Sequence, residues 1–175
     1  MTDEQRPAVA ATGTVEHGPG RRELVVVRRF DADAADVWAS ITEPGLLEAW
    51  VGRWEGDPAT GTVQFFMTAE GPDAEAAECV ITRCEPPRRY AVDTATPGGV
   101  WHLALDLAEA DGVTTLTFRQ RLGPDDDAAS IGPGWEYYLD RLVAVRSGRG
   151  ADTVAWESYY PAQREHYARA ATAAG

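Results

Sequence analysis

His102 and Asp106 form the one acid–base pair that stands out by spacing. They lie two strand repeats apart, so an extended segment places both on one side, where a proton could pass between them. The residues around them argue against that use. Trp101, Leu103, Leu105 and Leu107 alternate with His102, Ala104, Asp106 and Ala108. A strand with one wet face buries the first set and turns the second to solvent. Glu78, Arg119 and Tyr90 are the other polar groups that an enclosed site could draw on, and no catalytic set is assigned among the five.

Metal and nucleophile chemistry find less support. His17, His102 and His166 are far apart, and none stands in an H-x3-H or H-E-x-x-H arrangement. Asp125-Asp126-Asp127 reads as a solvated loop. No G-x-S-x-G is present, and Ser40 falls inside a predicted helix. Dinucleotide and P-loop glycine patterns are absent. No metal and no cofactor is expected. Cys79 and Cys84, the only two cysteines, lie five apart in one predicted strand, which turns them to opposite faces and argues against a disulfide. A buried Cys79 would be a small hydrophobe rather than a nucleophile.

The elements that would position these groups follow from periodicity. A length of 175 residues suits one domain that buries roughly 70% of its unfolded surface. A net charge of −12 repels phosphate, so neither nucleic acid nor an anionic membrane is an expected partner. With no signal-peptide order at the N-terminus and no apolar run of ~18 residues, the chain is expected to be cytoplasmic. Thr12–Glu16 and a strand from Leu24 to Phe30 flank the turn signal His17-Gly18-Pro19-Gly20. Asp33 is a helix N-cap for Val37, Trp38 and Ile41, and Pro44 restarts a second helix carrying Leu46, Leu47 and Trp50. From Gly61 to Leu122 the period is two, with turns at Glu85–Arg89 and Asp111-Gly112, which predicts an antiparallel meander. Asp125–Gly134 reads as a loop, and Trp135, Leu139, Leu142 and Val143 then give a helix of about three turns with one apolar stripe. A last short helix is expected from about Pro161.

Phe30-x-Ala32, Val37-Trp38, Ile41-Thr42-x-Pro44, Leu46-Leu47 and Trp50, with Gly134-Trp135 opening a C-terminal helix, resemble the SRPBCC (START-like) superfamily. Within it the similarity is to the branch named for activators of the heat-shock-protein-90 ATPase, over Thr12 to Arg146. The resemblance implies an α+β helix-grip fold, in which a curved antiparallel sheet wraps a long C-terminal helix and leaves a hydrophobic cavity. It implies no shared catalytic set, so fold-level similarity licenses a cavity and not an activity. The expected organisation is a disordered terminus over 1–11, the helix-grip domain over 12–146 and an aromatic extension with a short helix over 147–175.

Six tryptophans then acquire a reading, three of them within Phe30–Trp54. Indole supplies apolar wall and one N–H donor at low rotamer cost. Trp50, Trp54, Phe65, Met67, Trp101, Leu103, Trp135 and Leu139 are expected to line the cavity, and Trp38 to pack the first helix on the sheet. The leading function is binding of a small apolar or aromatic molecule. The alternatives are a co-chaperone-like regulator of a heat-shock ATPase and an enzyme of the polyketide cyclase or hydratase type. Trp156, Tyr159 and Tyr160 in the tail are candidates to close the cavity mouth, to pair two copies of the chain or to meet a chaperone.

Overall fold

A computed structural model describes residues 6–173. Pro19-Gly20 makes the first tight connection, joining strands β1 (Thr14–Gly18) and β2 (Arg21–Phe30), with Gly18 opposite Arg21. Gly20 takes φ 65°, a left-handed conformation that a side chain would strain. Asp33 ends the extended segment and begins helix α1 (Ala34–Thr42), its carboxylate accepting from the Asp36 N–H at 2.8 Å. Pro44 sits in the first turn of α2 (Pro44–Leu47), where its missing N–H leaves no bond unmade. The two helices run in series as expected, although α2 is a single turn and Trp50 lies just beyond it.

The meander follows as β3 (Arg53–Glu55), β4 (Thr62–Phe66), β5 (Ala76–Glu85), β6 (Arg89–Thr96), β7 (Gly99–Ala110) and β8 (Val113–Leu122). Among the described residues the sheet has eight strands in the order β1-β2-β8-β7-β6-β5-β4-β3. At the β7–β8 turn both Asp111 (φ 52°) and Gly112 (φ 76°) are left-handed, the twist a two-residue hairpin requires. From β3 to β8 each strand pairs with its sequence neighbour, so this part of the antiparallel sheet follows from local turns, while β2 beside β8 is a non-local neighbour. With the long helix α3 (Ala128–Arg146), the chain has the α+β helix-grip fold that the sequence implies.

Two compact units can be distinguished, one built on Val27–Arg121 and the other on the flanking segments, up to Val26 and from Leu122 onward. In the second unit α3 corrects an expectation. It starts at Ala128, not at Trp135, and takes in much of the predicted loop. Asp127 is the cap: its carboxylate accepts from the Ala129 N–H at 3.1 Å and the Ser130 hydroxyl at 2.6 Å. Gly132-Pro133-Gly134, which reads locally as a breaker, lies inside the helix. Helix α4 (Arg164–Thr172) begins three residues after Pro161 and packs on α3 and β1.

Of the N-terminal stretch expected to be disordered, residues 1–5 lie outside the described residues. Within the rest, the Val9 N–H donates to the Ser158 carbonyl at 2.8 Å and the Gln163 side chain donates to the Val9 carbonyl at 3.1 Å.

Candidate functional site

The strand register gathers most of the large apolar residues of β3–β8 onto one face. Trp54 stands opposite Phe65, Val63 opposite Cys79, Cys79 opposite Thr94, and Thr94 opposite Trp101. Ile81 faces Val92, Val92 faces Leu103, and Tyr90 faces Leu105. Residues directly opposed in an antiparallel ladder project to the same side, so these make one continuous surface. Val63, Cys79 and Val92 are its buried centre, with Trp54, Phe65, Ile81, Tyr90 and Leu103 packed around them.

Burial is uneven across that face. Near the β7–β8 turn it is sealed: Leu107, Leu116 and Phe118 are 5%, 0% and 1% exposed. Over β3 to β7 it is not, and Trp54, Phe65, Ile81, Tyr90, Trp101, Leu103 and Leu105 remain only half-buried. Large apolar side chains left half-open beside a closed core are the raw material of a ligand site.

The indoles of the first unit divide by what their N–H groups do. Trp50 is buried and donates to the Ser40 carbonyl at 2.9 Å; Trp54 donates to the Thr42 carbonyl at 2.8 Å. Both carbonyls belong to the last turn of α1, where a helix leaves acceptors without an intrahelical donor. Two tryptophans therefore cap α1 from the segment that follows it. Trp38 packs α1 on the sheet, its ring edge-on to Tyr90 at 6.2 Å and 85°. Met67 follows the end of β4 and is half-buried.

Of the five polar groups, four stand on the other side of the sheet. His102 pairs through Nδ1 with Asp93 at 2.7 Å, and Arg89 pairs with Asp106. The two residues thus hold different cross-strand neighbours on the outer face, the wet side on which their alternation places them. Glu78 lies opposite Gln64, and Arg119 opposite Ala104, both out of phase with the apolar set. Tyr90 alone projects to the apolar face. Burial, with the nearby Cys79 and Cys84 thiols, pushes its phenol well above the ordinary range. Sequence reasoning named Tyr90 only as one polar group among five, and put Ile81 on one face with Cys79 without counting it among the lining residues. Their shared phase with Val92 and Leu103 is the signal that marks both.

Burial also pushes the Cys79 thiol up, against a smaller opposite pull from Thr94. Both thiols are free, and Cys84 is exposed. Iodoacetamide applied to the native protein is therefore expected to modify Cys84 alone, and both cysteines in urea, with peptide mass spectrometry as the readout. Comparable native labelling of Cys79 would show that the centre of the face is not closed.

Trp135 and Leu139 belong to the other unit. Leu139 is fully buried on α3, and half-buried Trp135 meets Tyr138 edge-on at 6.2 Å. Between them in sequence lies Glu136, fully buried and missed by sequence reasoning. Its carboxylate accepts from the Thr12 N–H (2.6 Å), the Thr12 hydroxyl (2.8 Å), the Gly13 N–H (2.7 Å) and the Tyr167 hydroxyl (2.6 Å). The signal was present: Gly132, Glu136 and Leu139 fall at i, i+4 and i+7, which places the acid in the buried stripe. In the tail, Trp156 stacks on Tyr160 at 5.3 Å, and Tyr159 donates to Asp140 at 2.6 Å.

Among the described residues no cluster of three or more His, Cys, Asp or Glu side chains could hold a metal ion, and no helix is long and apolar enough to cross a membrane. The crystal structure of CalU16 from Micromonospora echinospora is similar to this chain with a TM-score of 0.73 at 24% identity, over 93% of this chain and 98% of that one. EF2215 from Enterococcus faecalis, a conserved protein of unknown function, gives 0.69 at 20%, over 91% and 90%. DynU16, from the dynemicin biosynthetic locus, gives 0.64 at 19%, over 74% and 49%. At these identities the likeness shows the fold. No curated protein gives a significant match. The family model described as activator of Hsp90 ATPase homolog 1-like protein matches residues 31–146. The match takes in well over half of the chain, which therefore belongs to that family, the corresponding branch of the SRPBCC superfamily.

Proposed function

We propose that the half-open apolar face of β3–β7 binds a small hydrophobic or aromatic molecule. The observation that carries the reading is the contrast within one sheet face, sealed at Leu107, Leu116 and Phe118 and accessible at Trp54, Phe65, Trp101 and Leu103. An aromatic guest that covers ~150–250 Å² of this wall gains a few kcal/mol at ~25 cal/mol per Å², before the cost of association. A protein of the same fold, DynU16, comes from a biosynthetic locus, which favours a small molecule over a macromolecule as the guest. No catalytic step is part of the proposal, because His102, Asp106, Glu78 and Arg119 stand on the opposite face.

A panel of planar and aliphatic apolar compounds, read by thermal unfolding and tryptophan emission, tests the reading. A guest present at ~100 times its Kd stabilises the fold by about 2.7 kcal/mol, which for a chain of this size raises Tm by roughly 5–11 °C. Emission should change in parallel, since Trp54 and Trp101 line the face. A panel that moves neither Tm nor emission overturns the proposal.

A further inference from the structure

We infer that Tyr90 sets the specificity of this face, selecting a flat apolar guest that carries a neutral carbonyl-type oxygen and donating its O–H to that oxygen. The inference rests on the ligand-binding reading above.

A tyrosine hydroxyl drawn into a half-buried apolar setting ordinarily finds a hydrogen-bond partner. The neighbouring polar groups obey the rule. Trp50 and Trp54 donate to carbonyls of α1, and Cys79 interacts with Thr94. The Tyr90 hydroxyl makes no hydrogen bond to any described residue. Its known surroundings offer little: Leu105 stands opposite on β7, the Trp38 ring meets it in a T-shaped contact, and the titratable groups that act on it are the thiols of Cys79 and Cys84, which are weak acceptors. The phenol also stays protonated throughout the physiological range, because burial disfavours its anion. The group is therefore a standing donor that no described residue engages and that an acceptor on a guest can take up.

Charge narrows the class of guest. A carboxylate brought onto this face would lose its hydration and need a cation beside it. The register places Arg89, Arg119 and Arg121 on the other side of the sheet, out of phase with Tyr90, Val92 and Leu103. A ketone, quinone or ester oxygen makes no such demand. It needs only the one hydrogen bond that Tyr90 has to offer.

Fluorene and 9-fluorenone share a tricyclic shape and differ in whether the bridging carbon is a methylene or a carbonyl. Equilibrium dialysis of both against the wild-type protein and Tyr90→Phe separates the terms. In the wild type, fluorenone is expected to bind about three- to tenfold more tightly than fluorene, the increment of one neutral hydrogen bond. In Tyr90→Phe the ratio should fall to about one, with fluorene affinity changed less than about twofold. The carbonyl stretch of bound fluorenone should lie at lower frequency in the wild type than in Tyr90→Phe, a shift that lost packing would not produce. Equal affinities in the wild type, or a preference that survives in Tyr90→Phe, would overturn the role of Tyr90 and leave the apolar site standing. Failure of both compounds to bind either protein would overturn the ligand-binding reading itself, and this inference with it.

Discussion

Glu136→Ala is expected to destabilise the protein by about 2–5 kcal/mol, at about 1–3 kcal/mol for each buried donor left without its acceptor. Glu136 has no exposed surface and holds four donors, two of them backbone N–H groups at Thr12 and Gly13. Without the carboxylate the buried Gly13 N–H and Tyr167 hydroxyl lose this acceptor, which is the expensive half of hydrogen-bond energetics. Glu136→Gln keeps the shape, its amide oxygen can take the place of Oε1 as acceptor for Thr12, Gly13 and Tyr167, and its NH2 can donate to the Thr12 hydroxyl, so it should rescue much of the loss. Tyr167→Phe removes one of these donors and is expected to cost about 1.5 kcal/mol. Urea titration measures all three. A second readout is tryptic cleavage at Arg164 and Arg169, because the same carboxylate ties the N-terminal segment and α4 to α3, and cleavage should speed up in step with the stability lost. A Glu136→Ala protein within about 1 kcal/mol of wild type would mean that the network contributes little net stability.

Gly132→Ala is expected to destabilise by about 2–3 kcal/mol, the scale of overpacking, although alanine in place of glycine inside a helix ordinarily gains close to 1 kcal/mol. The reversal has one cause. A Cβ at position 132 would lie 2.4 Å from Cγ of Tyr167 and 2.5 Å from both Cδ atoms. Two residues further along the same helix, a Cβ at Gly134 would meet nothing within 4 Å. Gly134→Ala should therefore stabilise while Gly132→Ala destabilises. On a Tyr167→Ala background, Gly132→Ala should lose most of its cost, a coupling that a double-mutant cycle measures directly. Equal effects of the two alanine substitutions would show that the ring does not press on the helix.

Those two glycines also show where local reasoning ran short. Gly132-Pro133-Gly134 carries breaker chemistry, so a loop up to Trp135 was the expected reading. The glycine at 132 answers instead to a ring more than thirty residues away, and no window on the sequence contains that fact. Features decided within a few residues were legible: the turns at Pro19-Gly20 and Asp111-Gly112, the cap at Asp33, Pro44 opening α2, and the alternation from Trp101 to Leu107. That alternation also placed His102 and Asp106 on the wet face. Their actual partners, Asp93 and Arg89, are set by the β6–β7 register, which depends on where the preceding turn closes.

The same division runs through the indoles. Their density in Phe30–Trp54 was visible at once, but their separate duties were not. Trp50 and Trp54 turn their N–H groups to the last carbonyls of α1, and Trp38 meets Tyr90 in a T-shaped contact. A helix of nine residues followed by a single turn has little of its own to hold it. Indole caps supply hydrogen bonds and apolar contact together. Trp54 does this while its ring remains part of the half-open face, so one residue serves both the scaffold and the candidate site.

That face is most directly tested by amide chemical-shift mapping of the 15N-labelled protein titrated with 9-fluorenone. Saturable shifts are expected at Phe65, Ile81, Tyr90, Val92, Trp101 and Leu103 and in the Trp54 indole N–H, with exposed outer-face positions such as Val80 and Val100 far less affected. Shifts confined to the tail around Trp156 and Tyr160, or no saturable shifts, would contradict ligand binding on the apolar face of β3–β7.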